Sequence, residues 1–194
     1  ISNTPEKCGE ELTTFYTSDS NDCIISCSGG ELMCEILDYV DFEQIKQSKP
    51  KWFMGYSDNT NFTFLLTTIA DIASIYGPCA ASFGMEPWHD SIQDSLDLLL
   101  GKKLKMTGYS MWQLNRKMSQ EPCQPYNLSE KVIIKYFLPD GSSNIDDNVN
   151  NFVDISFSGR LIGGCVDCLS NLVGTNYDHV SEFSEKYKSD GIVW

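Results

Sequence analysis

The chain has 194 residues, 41% hydrophobic and 12% aromatic, with 14 basic side chains against 27 acidic ones. At this length roughly 70% of the unfolded surface can be buried, so a core needs no staple, and the apolar content excludes disorder throughout. The formal net charge of −13 argues against a nucleic-acid polymer as partner and reads as a solubility feature.

No apolar run approaches the roughly 20 residues of a membrane span. The opening Ile1-Ser2-Asn3-Thr4-Pro5-Glu6-Lys7 is polar and lacks the apolar segment of a signal peptide. The expectation is a cytoplasmic protein without a membrane partner, whose eight cysteines are reduced. Cys165-x-x-Cys168 and Cys23-x-x-x-Cys27 lack the second close pair of a zinc ribbon, and buried inert thiols are the expected reading.

Along the chain, Glu10–Tyr16 reads as a helix end. Asp22–Cys27 is a short β-branched strand, with Cys23 and Cys27 on one face, ending at Ser28-Gly29-Gly30. Leu32, Met33, Ile36, Leu37 and Val40 recur at helical spacing, and Asp41–Gln47 is a second short helix stopped by Pro50. Trp52–Gly55 is a buried strand entering a turn at Tyr56-Ser57-Asp58. Phe62, Leu65, Leu66, Ile69 and Ile72 predict a helix of three or more turns. Ile75–Pro78 is a strand end and turn, and Ser91–Leu100 is an amphipathic helix stopped by Gly101. Strands alternating with helices over short connections predict an α/β layer on a mainly parallel sheet.

Beyond Gly101, seven of the 14 basic residues (Lys102, Lys103, Lys105, Arg116, Lys117, Lys131 and Lys135) fall among Tyr109, Trp112, Tyr126 and Tyr136. The stretch is either a dock for a flat or anionic ligand or a solvated connection, the second being the plainer reading. Pro139–Asn144 and the Asp/Asn run to Asn151 have turn chemistry. Ser158–Cys165 reads as a strand into a glycine turn, followed by a helix over Val166–Val173.

Chemistry concentrates at Gly55-Tyr56-Ser57-Asp58-Asn59. A serine on a sharp turn between a buried strand and a helix is held clear of the sheet, beside unpaired N–H groups suited to an oxyanion. Asn59 stands where such elbows usually carry a second glycine. By pattern alone, Ser57 is a nucleophile, or Ser57 or Asp58 is a helix N-cap. A hydroxyl needs a base within reach. Of the two histidines, neither His89 nor His179 is brought to Ser57 by spacing, and no lysine or glutamate is singled out.

Three runs carry a resemblance: Ser28-Gly29-Gly30, Ile36–Phe42 and Lys49–Thr60. Together with Tyr76-Gly77-Pro78 and Gly159–Cys165, they resemble the LD-carboxypeptidase family of serine peptidases in order and spacing, over about Glu11 to Trp194. That family includes muramoyltetrapeptide carboxypeptidases and microcin C7 self-immunity peptidases. The resemblance implies a flavodoxin-like, mainly parallel sheet with flanking helices, plus part of a smaller β-rich second domain. It implies a nucleophile-bearing domain over 1–101, incomplete at its start, a connection over 102–154, and a truncated second domain over 155–194. Ser57 is then the nucleophile, and the backbone N–H groups of Asp58 and Gly30 form the oxyanion hole. The family's glutamate and histidine are expected beyond Trp194, so the chain alone is expected to be inactive. No metal or organic cofactor is implied. The implied partners are a peptide with a free C-terminus, most simply an L,D-bonded murein tetrapeptide, and a second copy in a homodimer. A peptide–nucleotide conjugate, a non-catalytic binding module and an inactive fragment are the alternatives.

Overall fold

Thr4 starts the first helix: its hydroxyl accepts the Lys7 N–H and Pro5 occupies the first turn, so α1 runs Pro5–Thr17. The computed structural model describes residues 3–114, 123–135, 137, 141, 143 and 156–194. Three short strands, β1 (Cys23–Ile25), β2 (Trp52–Gly55) and β3 (Ile75–Tyr76), form a parallel sheet in that order. Ile24 is opposite Phe53, and Met54 opposite Ile75. The central strand buries Phe53, Met54 and Gly55, as a strand covered on both faces does. The α/β reading therefore holds.

The segment between β1 and β2 departs from expectation. The helical spacing around Ile36 and Leu37 produces a 3₁₀ helix over Met33–Tyr39, followed by α2 (Phe42–Gln47) capped by Asp41. The tighter helix spans two fixed points. Asp58 Oδ2 accepts the Met33 N–H at 3.0 Å, and Thr13 Oγ1 accepts the Asp41 N–H at 3.0 Å. Gly9 of α1 permits the approach, since a Cβ there would lie 2.6 Å from Tyr39 Cβ.

Helix α3 (Thr60–Thr68) is buried almost all round and forms the centre of the core. The Phe62 ring meets those of Phe53, Tyr16 and Phe42 at centroid distances of 4.7, 5.9 and 6.0 Å. Ile72 does not continue this helix as expected: α3 ends at Thr68, and Asp71 turns the chain with φ +60.

Helix α4 (Asp90–Leu99) begins at His89, whose Nδ1 accepts the Ser91 N–H at 3.1 Å, and it stops before Gly101 with φ +68. Its Asp94 is held by Lys103 at 2.6 Å and by the Tyr109 hydroxyl at 2.7 Å. Trp112 lies in an antiparallel pair, β4 (Met111–Trp112) with β5 (Glu130–Lys131), and its indole N–H donates to the Lys131 carbonyl. Lys103, Tyr109 and Trp112 of the basic aromatic stretch thus have intramolecular partners. Arg116, Lys117, Tyr136 and most of the 139–151 loop lie outside the described residues; a Phe137–Ser143 bridge falls where the turn is expected.

Residues 156–194 form β6 (Arg160–Leu161), α5 (Val166–Leu172), α6 (Val180–Lys186) and β7 (Ile192–Val193), with β6 and β7 parallel. Ile162, Leu172 and Phe183 join the same core as Phe62. All eight cysteines are free, but only Cys79 is buried, which corrects the expectation of buried thiols. Because β1 ends at Ile25, the strand periodicity never reaches Cys27, which is exposed. Among the described residues no helix is long and apolar enough to cross a membrane.

Asp71 ties this last segment to the end of α3, accepting from Lys186 Nζ at 2.7 Å and the Tyr187 hydroxyl at 2.6 Å. Burial raises the Asp71 carboxyl, but these hydrogen bonds outweigh it and hold the group below its usual value. A carboxylate depressed on folding stabilises above its unfolded value and loses that contribution as pH falls through the folded one. Asp71→Asn is therefore expected to lower the urea midpoint modestly at pH 7 and by less at an acid pH where the folded carboxyl has begun to protonate. Unfolding curves at both pH values check this; an equal deficit at each would contradict it.

Candidate active site

Ser57 leaves β2 in the left-handed region, with φ +62. This conformation is uncommon for a residue with a Cβ and persists only where its surroundings enforce it. Its N–H donates to the Tyr76 hydroxyl at 3.0 Å, reaching across from the end of β3. The 3₁₀ turn Ser57–Asn59 then closes with Asn59 N–H on the Tyr56 carbonyl at 3.3 Å. Asn59 also spends its side-chain amide on the Tyr56 carbonyl at 3.0 Å and the Ser28 carbonyl at 3.1 Å. That explains the asparagine in place of a glycine: it clasps the loop after β1 to the loop after β2. Gly55 makes room for it, since a Cβ at Gly55 would lie 2.7 Å from Asn59 Cγ.

The structure brings the Gly29-Gly30 turn against Ser57 and Asp58. A Cβ on Gly29 would lie 3.1 Å from Ser57 Cβ and 3.3 Å from Ser57 Oγ, and one on Gly30 would lie 3.1 Å from Asp58 Oδ2. The Asp58 N–H lies ahead of the first backbone donor used inside the 3₁₀ turn, that of Asn59. The Asp58 side chain is buried, accepting from Met33 N–H and from the Asn61 amide, each at 3.0 Å. The N-cap reading is thereby corrected. Neither the 3₁₀ turn nor α3 has a side-chain cap, because the Asp58 carboxylate faces inward to hold the 32–33 backbone.

Three contacts with the last segment were invisible to sequence reasoning. Thr60 Oγ1 accepts the Cys165 N–H at 2.9 Å, and Gly164, at φ +153, leaves no room for a Cβ, which would lie 2.5 Å from Thr60 Cγ2. The Cys168 thiol donates to the Ser57 carbonyl at 3.7 Å. Burial, a hydrogen bond with Cys165 and nearby negative charge push the Cys168 thiol up to about 11, so it stays protonated. Sequence separations above 100 residues leave no local signal of such contacts; only the matching of Tyr76-Gly77-Pro78 and the glycine turn to family motifs pointed to these regions.

Among the described residues, Ser57 Oγ has no hydrogen-bond partner. His89 is engaged with Ser91 and with the rings of Tyr109 and Tyr126, and His179 supplies its carbonyl to the start of α6. A cavity of about 590 Å³, lined in part by Phe64, Tyr76, Arg160, Gly164 and Trp194, shares Tyr76 with the serine turn.

The Tyr76 hydroxyl is a positioning group for Ser57. Tyr76→Phe is expected to speed hydrogen exchange of the Ser57 amide by roughly two- to tenfold while leaving circular dichroism unchanged. An unaltered exchange rate would show that the phenol does not hold the turn.

No curated protein sequence matches. The solved structure of the microcin C7 self-immunity protein MccF in complex with aspartyl sulfamoyl adenosine is similar, with 21% identity and a TM-score of 0.71, covering 91% of this chain and 50% of that one. An MccF-like protein from Bacillus anthracis str. Ames shows 21% identity and a TM-score of 0.69, with coverage of 91% and 49%. One from Streptococcus pneumoniae in complex with AMP shows 23% identity and a TM-score of 0.62, with coverage of 95% and 52%. The chain spans about half the length of the solved structures it matches. A family profile described as the LD-carboxypeptidase N-terminal domain matches residues 1–77, which contain β1, β2, the Gly29-Gly30 turn and Ser57, so this N-terminal region is similar to that domain.

Proposed function

We propose that Ser57 is the nucleophile of a serine carboxypeptidase that cleaves the amide bond before a C-terminal residue. The observation that carries this reading is the left-handed Ser57, set between β2 and α3 with the Gly29-Gly30 turn against it. Ser57 Oγ attacks the carbonyl carbon, and the resulting oxyanion is met by the backbone N–H groups of Asp58 and Gly30. Collapse releases the C-terminal residue and leaves an acyl-enzyme that water hydrolyses. The proton from Ser57 passes to a base; the resemblance implies a histidine oriented by a glutamate, and neither His89 nor His179 takes that role. No metal or cofactor enters this scheme.

The substrate proposed first is an L,D-bonded murein tetrapeptide. A peptide–nucleotide conjugate is the second reading, supported by the fold shared with MccF proteins solved with aspartyl sulfamoyl adenosine or AMP. The proposal includes a homodimer in the cytoplasm and a flavodoxin-like first domain over 1–101. It also includes a connection over 102–154 and the start of a second, β-rich domain over 155–194.

In the protein carrying the whole peptidase, Ser57→Ala should lower release of the terminal residue by roughly a thousandfold or more with the fold intact. Release of D-alanine from a murein tetrapeptide and of aspartate from aspartyl sulfamoyl adenosine, measured side by side, decides the substrate class. Full turnover by the Ser57→Ala variant would contradict the serine mechanism, and binding of either compound without any turnover by the unmodified protein would favour a binding module.

A further inference from the structure

We propose that Cys165 and Cys168 form a reversible disulfide that disconnects Cys168 from the Ser57 peptide and so controls the oxyanion-binding backbone. The two cysteines are three residues apart at the start of α5: Cys165 is its N-cap residue and Cys168 lies in its first turn. Side chains at that spacing are about 5–6 Å apart at Cβ in a helix, close enough for rotation and a small backbone shift to join them. Both thiols are free and partly exposed.

The consequence follows from peptide geometry. The Ser57 carbonyl that accepts the Cys168 thiol belongs to the same planar unit as the Asp58 N–H. Fixing one end of that unit fixes the direction of the other. In the reduced protein the thiol at 3.7 Å and the Cys165 N–H on Thr60 Oγ1 at 2.9 Å tie α5 to both sides of the turn. In the oxidised protein Cys168 has no S–H to donate, and its sulfur is drawn toward Cys165. The Thr60 contact, made by backbone, persists, so oxidation loosens one peptide unit without detaching α5.

The oxidant is a small disulfide such as glutathione disulfide. The Cys165 thiolate attacks one of its sulfurs, forming a mixed disulfide and expelling one glutathione thiolate. The Cys168 thiolate then attacks Cys165 Sγ and expels the second. The protein loses two electrons and two thiol protons, and glutathione disulfide is reduced to two glutathione molecules. The high pKa of Cys168 makes the second step slow at neutral pH and faster in mild alkali.

This inference rests on the reading of Asp58 N–H as an oxyanion donor, and the test separates the two. The chain is equilibrated with graded ratios of glutathione disulfide to glutathione at pH 8, alkylated and mapped by mass spectrometry, while the Asp58 amide is followed by NMR. The expected result is a Cys165–Cys168 disulfide that reverses with excess glutathione, accompanied by a shifted Asp58 amide resonance. Cys165→Ser, which keeps the backbone N–H to Thr60, should show neither the internal disulfide nor that shift. Cys168→Ala under reducing conditions, which removes the donor to the Ser57 carbonyl, should also shift the Asp58 resonance, and an unmoved resonance would overturn the proposal.

Separate alkylation of Cys165 and Cys168 at every ratio, or mixed disulfides alone, would overturn the proposal. So would a disulfide that leaves the Asp58 amide unmoved. In the protein carrying the whole peptidase, oxidation should slow turnover by roughly two- to tenfold, the scale of one hydrogen bond, and Cys165→Ser should abolish that sensitivity. A disulfide that moves the amide in a protein with no amidase activity would leave this inference standing and overturn the hydrolase reading.

Discussion

Two parallel strands end at the same edge of the sheet, and that alignment is the constraint on which the serine turn depends. Because β1 and β2 run side by side in one direction, the chain leaves both at one edge, where α/β sheets place their ligands. The loop after β1 brings two glycines, and the loop after β2 brings Ser57 and Asp58. Side chains on both loops at this approach would collide, so Gly29 and Gly30 supply the clearance. The polar clasps then follow: Asn59 holds the Ser28 carbonyl, and Asp58 holds the Met33 N–H. Antiparallel strands would deliver the two loops to opposite edges, and no such site would form.

The cost of a left-handed serine is met by groups from outside its own segment. Tyr76 comes from β3, Cys168 from α5, and the buried bulk of α3 fixes the following helix through Phe62. Strain of this kind is of order 1–3 kcal/mol and needs neighbours that leave no alternative. Distant packing and local chemistry are therefore one problem: loosening the 156–194 segment also loosens the Ser57 carbonyl.

Much of the framework was legible because it is written in local patterns. The apolar run Trp52–Gly55 coincides with β2, and Gly101 stops α4 within a residue of its expected end. The spacing of Ile36 and Leu37 identified buried positions but not the helix type, which is set by Asp58 and Thr13 pulling on the two ends of the segment. Ile72 was read into α3 because hydrophobic periodicity does not register the chain reversal at Asp71. At the site, Ser57 and the two glycines stood out through glycine placement and motif resemblance. The inward carboxylate of Asp58, the clasp by Asn59 and the contact from Cys168 did not. Each is a choice of side-chain direction settled only when chain segments about 25 to 111 residues away arrive.

The central claim is that Ser57 Oγ and the N–H groups of Gly30 and Asp58 surround one reacting carbonyl. The most direct measurement is a crystal structure of the protein carrying the whole peptidase after reaction with a peptidyl phosphonate, whose tetrahedral phosphorus stands for the carbon under attack. The account predicts phosphorus bonded to Ser57 Oγ, with one phosphonyl oxygen about 2.7–3.1 Å from both the Gly30 and Asp58 nitrogens. Phosphorus on another residue, or an oxygen turned away from both nitrogens, would contradict it.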